Sequence, residues 1–304
     1  MKNNVFARFS WLLILLAGIF WGAIGIFSDT VKAYGFTELQ TALWRVTSAA
    51  VMFVIFILIK DKSLLKIKLR DLPLFLALGC GSVLAMTCLY FLAIAGTSYS
   101  VAAILLYTAP IFVSVTSVFL FKEKFTVRKG IALILAFAGC VCVSGIFGGS
   151  GNVTPIGFLF GILSGVAYAL YSILGTFALR KYSPYTVTTY AFLFAALGAL
   201  IVCDAPGAFR KAAGLITTTP LLLHILLLGL ISAFLPFLLY TIGLSHTEAG
   251  KASIIASVEP LAATVCGVIR GQKIGTFGVL GILGILAAVI VMSVTGKKTN
   301  NNSD

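Results

Sequence analysis

Of the nine acidic residues in this 304-residue chain, Glu259 stands inside an apolar stretch, in Ala256-Ser257-Val258-Glu259-Pro260-Leu261. A carboxyl so placed is able to exchange a proton or hold a cationic group, because a buried charge is costly unless paired, protonated or wet. Equally, it can bond the backbone of a neighbouring helix and fix a contact, and both readings stay open. Arg45, a few residues inside another apolar stretch, is read as snorkelling to the interface, with Glu259 or a solute carboxylate as alternative partners. Trp21, Trp44, Tyr90, Tyr107, Tyr168 and Tyr240 carry amphipathic rings that suit a wet, substrate-binding cavity; plain core packing is the competing explanation. Pro110 and Pro260 each remove one backbone hydrogen bond and free a carbonyl one turn earlier, which makes them candidate hinges.

Other chemistry is sparse. His224 and His246 are expected near the inner ends of two helices, with no thiol or carboxylate grouped beside them. The six cysteines lie in apolar stretches without C-x-x-C spacing, so no metal site, cofactor or catalytic centre is expected. Glu123, after Phe121-Lys122, reads as an interfacial charge pair.

The elements that must position these groups follow from composition. With 60% hydrophobic and 10% charged residues, the chain falls outside the soluble globular range and reads as an all-α integral membrane protein. The net charge of +13 is assigned to basic loops at a membrane surface, and no nucleic-acid partner is expected. At about 20 residues per span, ten transmembrane helices are expected, near 11 to 28, 38 to 59, 73 to 94, 99 to 121, 127 to 147, 155 to 179, 185 to 203, 220 to 243, 249 to 269 and 275 to 295. Turns are placed at Ala95-Gly96-Thr97-Ser98 and at Gly148-Gly149-Ser150-Gly151-Asn152. The first apolar run lacks an A-x-A signal and is read as an uncleaved span. With that topology sixteen Lys and Arg fall on one side and five on the other, which predicts a multi-pass protein of the cell membrane with both termini cytoplasmic.

Helical spacing separates faces. In the ninth span, Ile254, Val258, Leu261, Val265 and Val268 form an aliphatic stripe suited to lipid, opposite Ala252, Ala256, Glu259, Ala263 and Gly267. Gly18, Trp21, Gly22 and Gly25 share a face of the first span, and Gly157, Gly161, Ser164, Tyr168, Tyr171 and Gly175 one of the sixth. Such small residues permit close helix approach. On the fourth span Ala103, Pro110 and Ser117 point inward.

A shift of 150 positions aligns Ser82 with Ser232, Tyr90 with Tyr240, Thr97 with Thr247, Pro110 with Pro260 and Thr126 with Thr276 without a gap. Five spans per copy would invert the second relative to the first. Two inverted five-helix repeats, 11 to 145 and 155 to 294, with a polar cytoplasmic tail at 296 to 304, are therefore expected, an architecture of secondary transporters.

The sequence resembles the EamA-like family of the drug/metabolite transporter superfamily. The resemblance rests on Gly18-Ile19-Phe20-Trp21-Gly22, Trp44-Arg45, Tyr107-Thr108-Ala109-Pro110 through Phe121-Lys122-Glu123, and Ala256-Ser257-Val258-Glu259-Pro260-Leu261. It implies a single-chain carrier, monomer or weak dimer, whose partners are membrane lipid, a small-molecule metabolite such as an amino acid, and protons if Glu259 titrates. Related families export amino acids, metabolites and drugs, and the central cavity would be lined by spans 1, 3, 4, 6, 8 and 9. One departure stands out: Gln272-Lys273 occupies the place where the family pattern has Gly-Glu, as Glu123 continues to do in the first half. A membrane enzyme, a receptor and a lipid scramblase are the competing functions; the spans offer no clustered acid, base and nucleophile for the first of these.

Overall fold

The computed structural model describes residues 9–97, 99–143, 154–215, 217, 219–269, 271 and 275–293, and these form helices and connecting turns without a strand. The principal helices are α1 (Ser10–Lys32), α2 (Glu38–Lys60), α3 (Leu69–Gly96), α4 (Val101–Phe121), α5 (Val127–Val143), α6 (Pro155–Leu179), α7 (Pro184–Val202), α8 (Leu221–Leu244), α9 (Ala249–Ile269) and α10 (Thr276–Ser293). Nine of them are long and apolar enough to cross a membrane; α5 has 17 described residues. A short surface helix, Ala205–Leu215, joins α7 to α8. The expected turn at Gly96 is present, whereas Ser98, the 148–152 turn and the 296–304 tail lie outside the described residues.

Local chemistry sets the helix ends. Thr37 caps α2 by accepting from Gln40 N at 3.2 Å while Gln40 returns a bond to Thr37 N, a capping box. Thr154 and Ser183 cap α6 and α7, each followed by a proline in the first turn.

Among the described residues five helices depart from regular α geometry: α1 at Ala23, and four others at two related pairs of positions. α4 breaks at Tyr107-Thr108 and α9 at Ser257-Val258, 150 positions apart. Pro110 and Pro260 lack the N–H that would continue the ladder. The backbone tightens instead, with Thr108 N bonding Leu105 O at 3.2 Å and Val258 N bonding Ile255 O at 3.3 Å. α3 and α8 widen into π-helical turns at Ala77–Leu84 and Leu230–Phe234.

The small-residue faces bring backbones together. A Cβ on Gly22 would lie 2.7 Å from Ala263 N of α9, and one on Gly157 would lie 2.6 Å from Gly96 backbone atoms at the end of α3. The aliphatic stripe assigned to α9 needs correction. Ile254 and Val258 are buried at 0% and 4% exposure, whereas Val265 and Val268 are exposed. The break between the two segments of α9 rotates one face relative to the other, so a single helical wheel cannot describe both.

Because Gly96 offers only backbone atoms, Gly157→Ala cannot be relieved by moving a side chain. It should lower the melting temperature in detergent, at a cost of about 1–3 kcal/mol typical of overpacking; an unchanged transition would contradict this close approach.

Candidate functional site

A cavity of about 620 Å³ occupies the middle of the bundle and opens at one end. Its floor is formed by Trp21 of α1, Phe237 of α8 and Glu259-Pro260 of α9, and its walls rise past Tyr90 and Phe91 of α3 to Asp29, Lys32 and Ile94 near the mouth. Tyr107, Tyr168, Arg45 and Cys140 also line it. The size suits a small metabolite.

Glu259 enters the cavity because it begins the second segment of α9, where the break turns the helix. It is half-buried, and Tyr107 and Tyr168 line the same cavity. Trp21 packs edge-on to Tyr168 and Phe237, with ring centroids 6.0 and 5.0 Å away. Carboxyl, phenols and indole therefore share one surface.

The snorkelling assigned to Arg45 is corrected by its placement. Its side chain is 6% exposed and turns into the bundle. Nη2 donates to Ser232 O at 2.9 Å, Nε to Ser232 Oγ at 3.2 Å and Nη1 to Thr87 Oγ1 at 3.4 Å. Ser232 lies in the π-helical turn of α8, whose widened ladder calls for other partners.

Trp21, Tyr90, Tyr107 and Tyr168 come together on the cavity as a set. Two other proposed lining residues lie elsewhere. Trp44 packs edge-on to Phe36 and Phe209 toward the ends of the helices, because the face of α2 that carries Arg45 inward sends its neighbour a different way. Tyr240 is 1% exposed, stacks against Trp21 beneath the floor and shares a hydrogen bond with Ser172 Oγ at 2.7 Å. Pro260 borders the cavity, and Pro110 borders a smaller void between α4, α6 and α8.

Beneath Tyr240 the bundle is closed. Glu123, placed by the left-handed Lys122 (φ 56°), accepts from Ala249 N at 2.9 Å and pairs with Lys129 at 2.8 Å, while Lys129 also meets Glu248 at 2.7 Å. Glu123 thus caps the start of α9, where a negative charge is favoured, and does more than pair at the interface. Thr247 donates to Ser10 Oγ at 2.8 Å at the same end. The corresponding Gln272-Lys273 lies outside the described residues. His246 follows α8 at this closed end, but His224 lies at the opposite end and bonds Tyr34 at 2.9 Å, because α8 runs from the mouth side to the closed end. The expectation that both histidines lie at inner ends is thereby corrected, since they stand at opposite ends of α8.

Sequence reasoning missed Thr87, Phe91 and Phe237 in and around the site. Their residue types match ordinary core, and only the rotation of α3 and α8 distinguishes them. Glu248 did carry a signal, an acid at the start of an apolar helix.

The model of the EamA-like transporter family matches residues 8–145 and again 155–294. The chain belongs to that family. An uncharacterized transporter of Archaeoglobus fulgidus is 28% identical over 260 residues, which cover 85% of this chain and 89% of the relative. An uncharacterized transporter of Clostridium kluyveri is 27% identical over 302 residues, covering 95% and 94%. A crystal structure with 17% identity superposes with a TM-score of 0.75 over 93% of this chain and 95% of the other, a likeness of fold. This member of the EamA-like family is a multi-pass membrane protein of transporter type, for which a small-molecule substrate and a lipid environment are implied.

Ser232→Ala should destabilise the protein by about 1–3 kcal/mol, because it removes an acceptor from a buried charged donor. Ser82→Ala, whose hydroxyl donates to Ala167 O at 2.8 Å, should cost about 0.5–1.5 kcal/mol as a neutral bond. Equal melting shifts for the two would show that Arg45 gains nothing from the Ser232 hydroxyl.

Proposed function

We propose that this chain is a secondary carrier that exports a small polar or amphipathic metabolite by alternating access. The observation that carries the reading is a central cavity open at one end and sealed at the other, with helix breaks at matched positions of two halves beside its floor. Two states of such a bundle would expose one site to each side in turn.

An inverted pair of five-helix repeats is supported by several paired features. The breaks in α4 and α9, and the widened turns in α3 and α8, recur at a spacing of 150. α1 packs on α8 and α9 as α6 packs on α3 and α4. Inversion also accounts for the unequal fates of Tyr90 and Tyr240: with one end open, one tyrosine lines the cavity and its counterpart is packed beneath the floor. The repeat boundaries proposed are 11 to 145 and 155 to 294.

Both termini are placed in the cytoplasm of a cell-membrane protein. The closed end gathers the helix ends bearing Lys60, Lys122, Lys129, Arg180 and Lys181, as the bias of basic residues toward the cytoplasm requires. The mouth then faces outward. Export as the direction follows from the resemblance to exporting families, and a neutral or zwitterionic solute suits walls with many rings and few charges. A proton is the proposed coupling ion, with Glu259 as the group that takes it up.

Counterflow in proteoliposomes tests the carrier reading: preloaded metabolite should accelerate uptake of labelled metabolite with saturation, and no exchange across a broad metabolite set would end it. An imposed pH gradient should drive uptake in the wild type and not in Glu259→Gln; equal gradient-driven uptake would remove the proton from the scheme. Glu123→Ala should loosen the sealed end. Labelling of Ser253→Cys, in a background without native cysteines, by an impermeant thiol reagent from the cytoplasmic side should rise severalfold, and unchanged labelling would show that Glu123 does not hold that end shut.

A further inference from the structure

We propose that Arg45 and Glu259 are the two poles of a binding site for a zwitterion, with a ligand carboxylate on Arg45, a ligand ammonium on Glu259, and an apolar body against the aromatic walls. The proposal rests on the transporter reading above and gives its substrate a chemistry.

A guanidinium has five N–H groups. Arg45 uses Nε–H and one hydrogen from each Nη on Ser232 and Thr87. One N–H therefore remains on each of Nη1 and Nη2, the pair of donors that forms a fork for a carboxylate. The side chain lines the cavity, and its three protein bonds fix the fork in place before a ligand arrives. Such preorganisation lowers the ordering cost of binding.

Glu259 lines the same cavity as Tyr107, Tyr168 and Trp21, and Trp21 packs edge-on to Tyr168. Neither phenol neutralises its charge. Among the described residues no ion pair joins Glu259 to Arg45 or either one to a third group. Two opposite charges thus face one low-dielectric space without meeting, each having lost much of its water. A ligand with a single charge would satisfy one and leave the other, whereas a zwitterion completes both. The indole and phenol faces favour an ammonium over a neutral group at the Glu259 pole.

The test uses the full-length protein in proteoliposomes, with leucine and phenylalanine as probes. Each is compared with its amide, which lacks the carboxylate, and its N-acetyl derivative, which lacks the ammonium. The parent zwitterion should inhibit its own counterflow at least tenfold better than either derivative. In Glu259→Gln the preference over the N-acetyl derivative should collapse while that over the amide persists, and in Arg45→Lys, which keeps the charge but loses the fork, the reverse should hold. Each preference is a ratio within one preparation, so a smaller folded fraction does not change it; should Arg45→Lys fail to fold, the wild-type series and Glu259→Gln decide. Derivatives that bind within twofold of the parent, or an unchanged ratio in Glu259→Gln, would overturn the proposal. If neither amino acid exchanges but another metabolite does, the zwitterion site falls and the carrier stands; if nothing exchanges, the carrier reading fails first.

Discussion

In an apolar slab a backbone N–H or C=O that leaves its helical ladder must find a partner within the protein, and the organisation of this bundle follows from that constraint. Regular helix is the inexpensive solution, and most of the chain adopts it. Every departure is therefore informative. The breaks in α4 and α9 are closed by tighter backbone bonds and by Thr108 Oγ1 donating to Leu105 O at 2.6 Å. The π-helical turn of α8 is met by Arg45, so a guanidinium is spent on the backbone and held at the cavity wall. Structural demand and site geometry coincide at that residue.

Symmetry and its violations divide the labour. Pro110 and Pro260, and the breaks beside them in α4 and α9, lie 150 positions apart, whereas the break at Ala23 of α1 has no counterpart in α6. The charges of the site are not shared: Glu259 corresponds to Ala109 and Arg45 to Ala195. At the sealed end, Glu123 joins the end of α4 to the start of α9 through backbone N–H groups and Lys129. Such a contact depends on helix ends remaining adjacent, and it is lost when they separate.

Much of this was legible in the sequence. Apolar run lengths marked the helices, and Pro110 and Pro260 marked the breaks. Glycine spacing marked the contacts of α1 and α6, and Trp21, Tyr168 and Glu259 fell on inward faces. These are local properties, carried by periodicity and by the backbone chemistry of proline and glycine, and a chain confined to helices expresses them almost unchanged. Tertiary structure alone decided what lies many residues apart: that Arg45 turns inward to Ser232, that Trp44 packs toward Phe209, that Tyr240 lies under the floor while Tyr90 lines the wall, and that His224 stands at the opposite end from His246. Each depends on how far a helix is rotated, where its break redirects a face, or which end of the bundle is closed. Sequence periodicity specifies a face but not its neighbour, and only packing between helices supplies the neighbour.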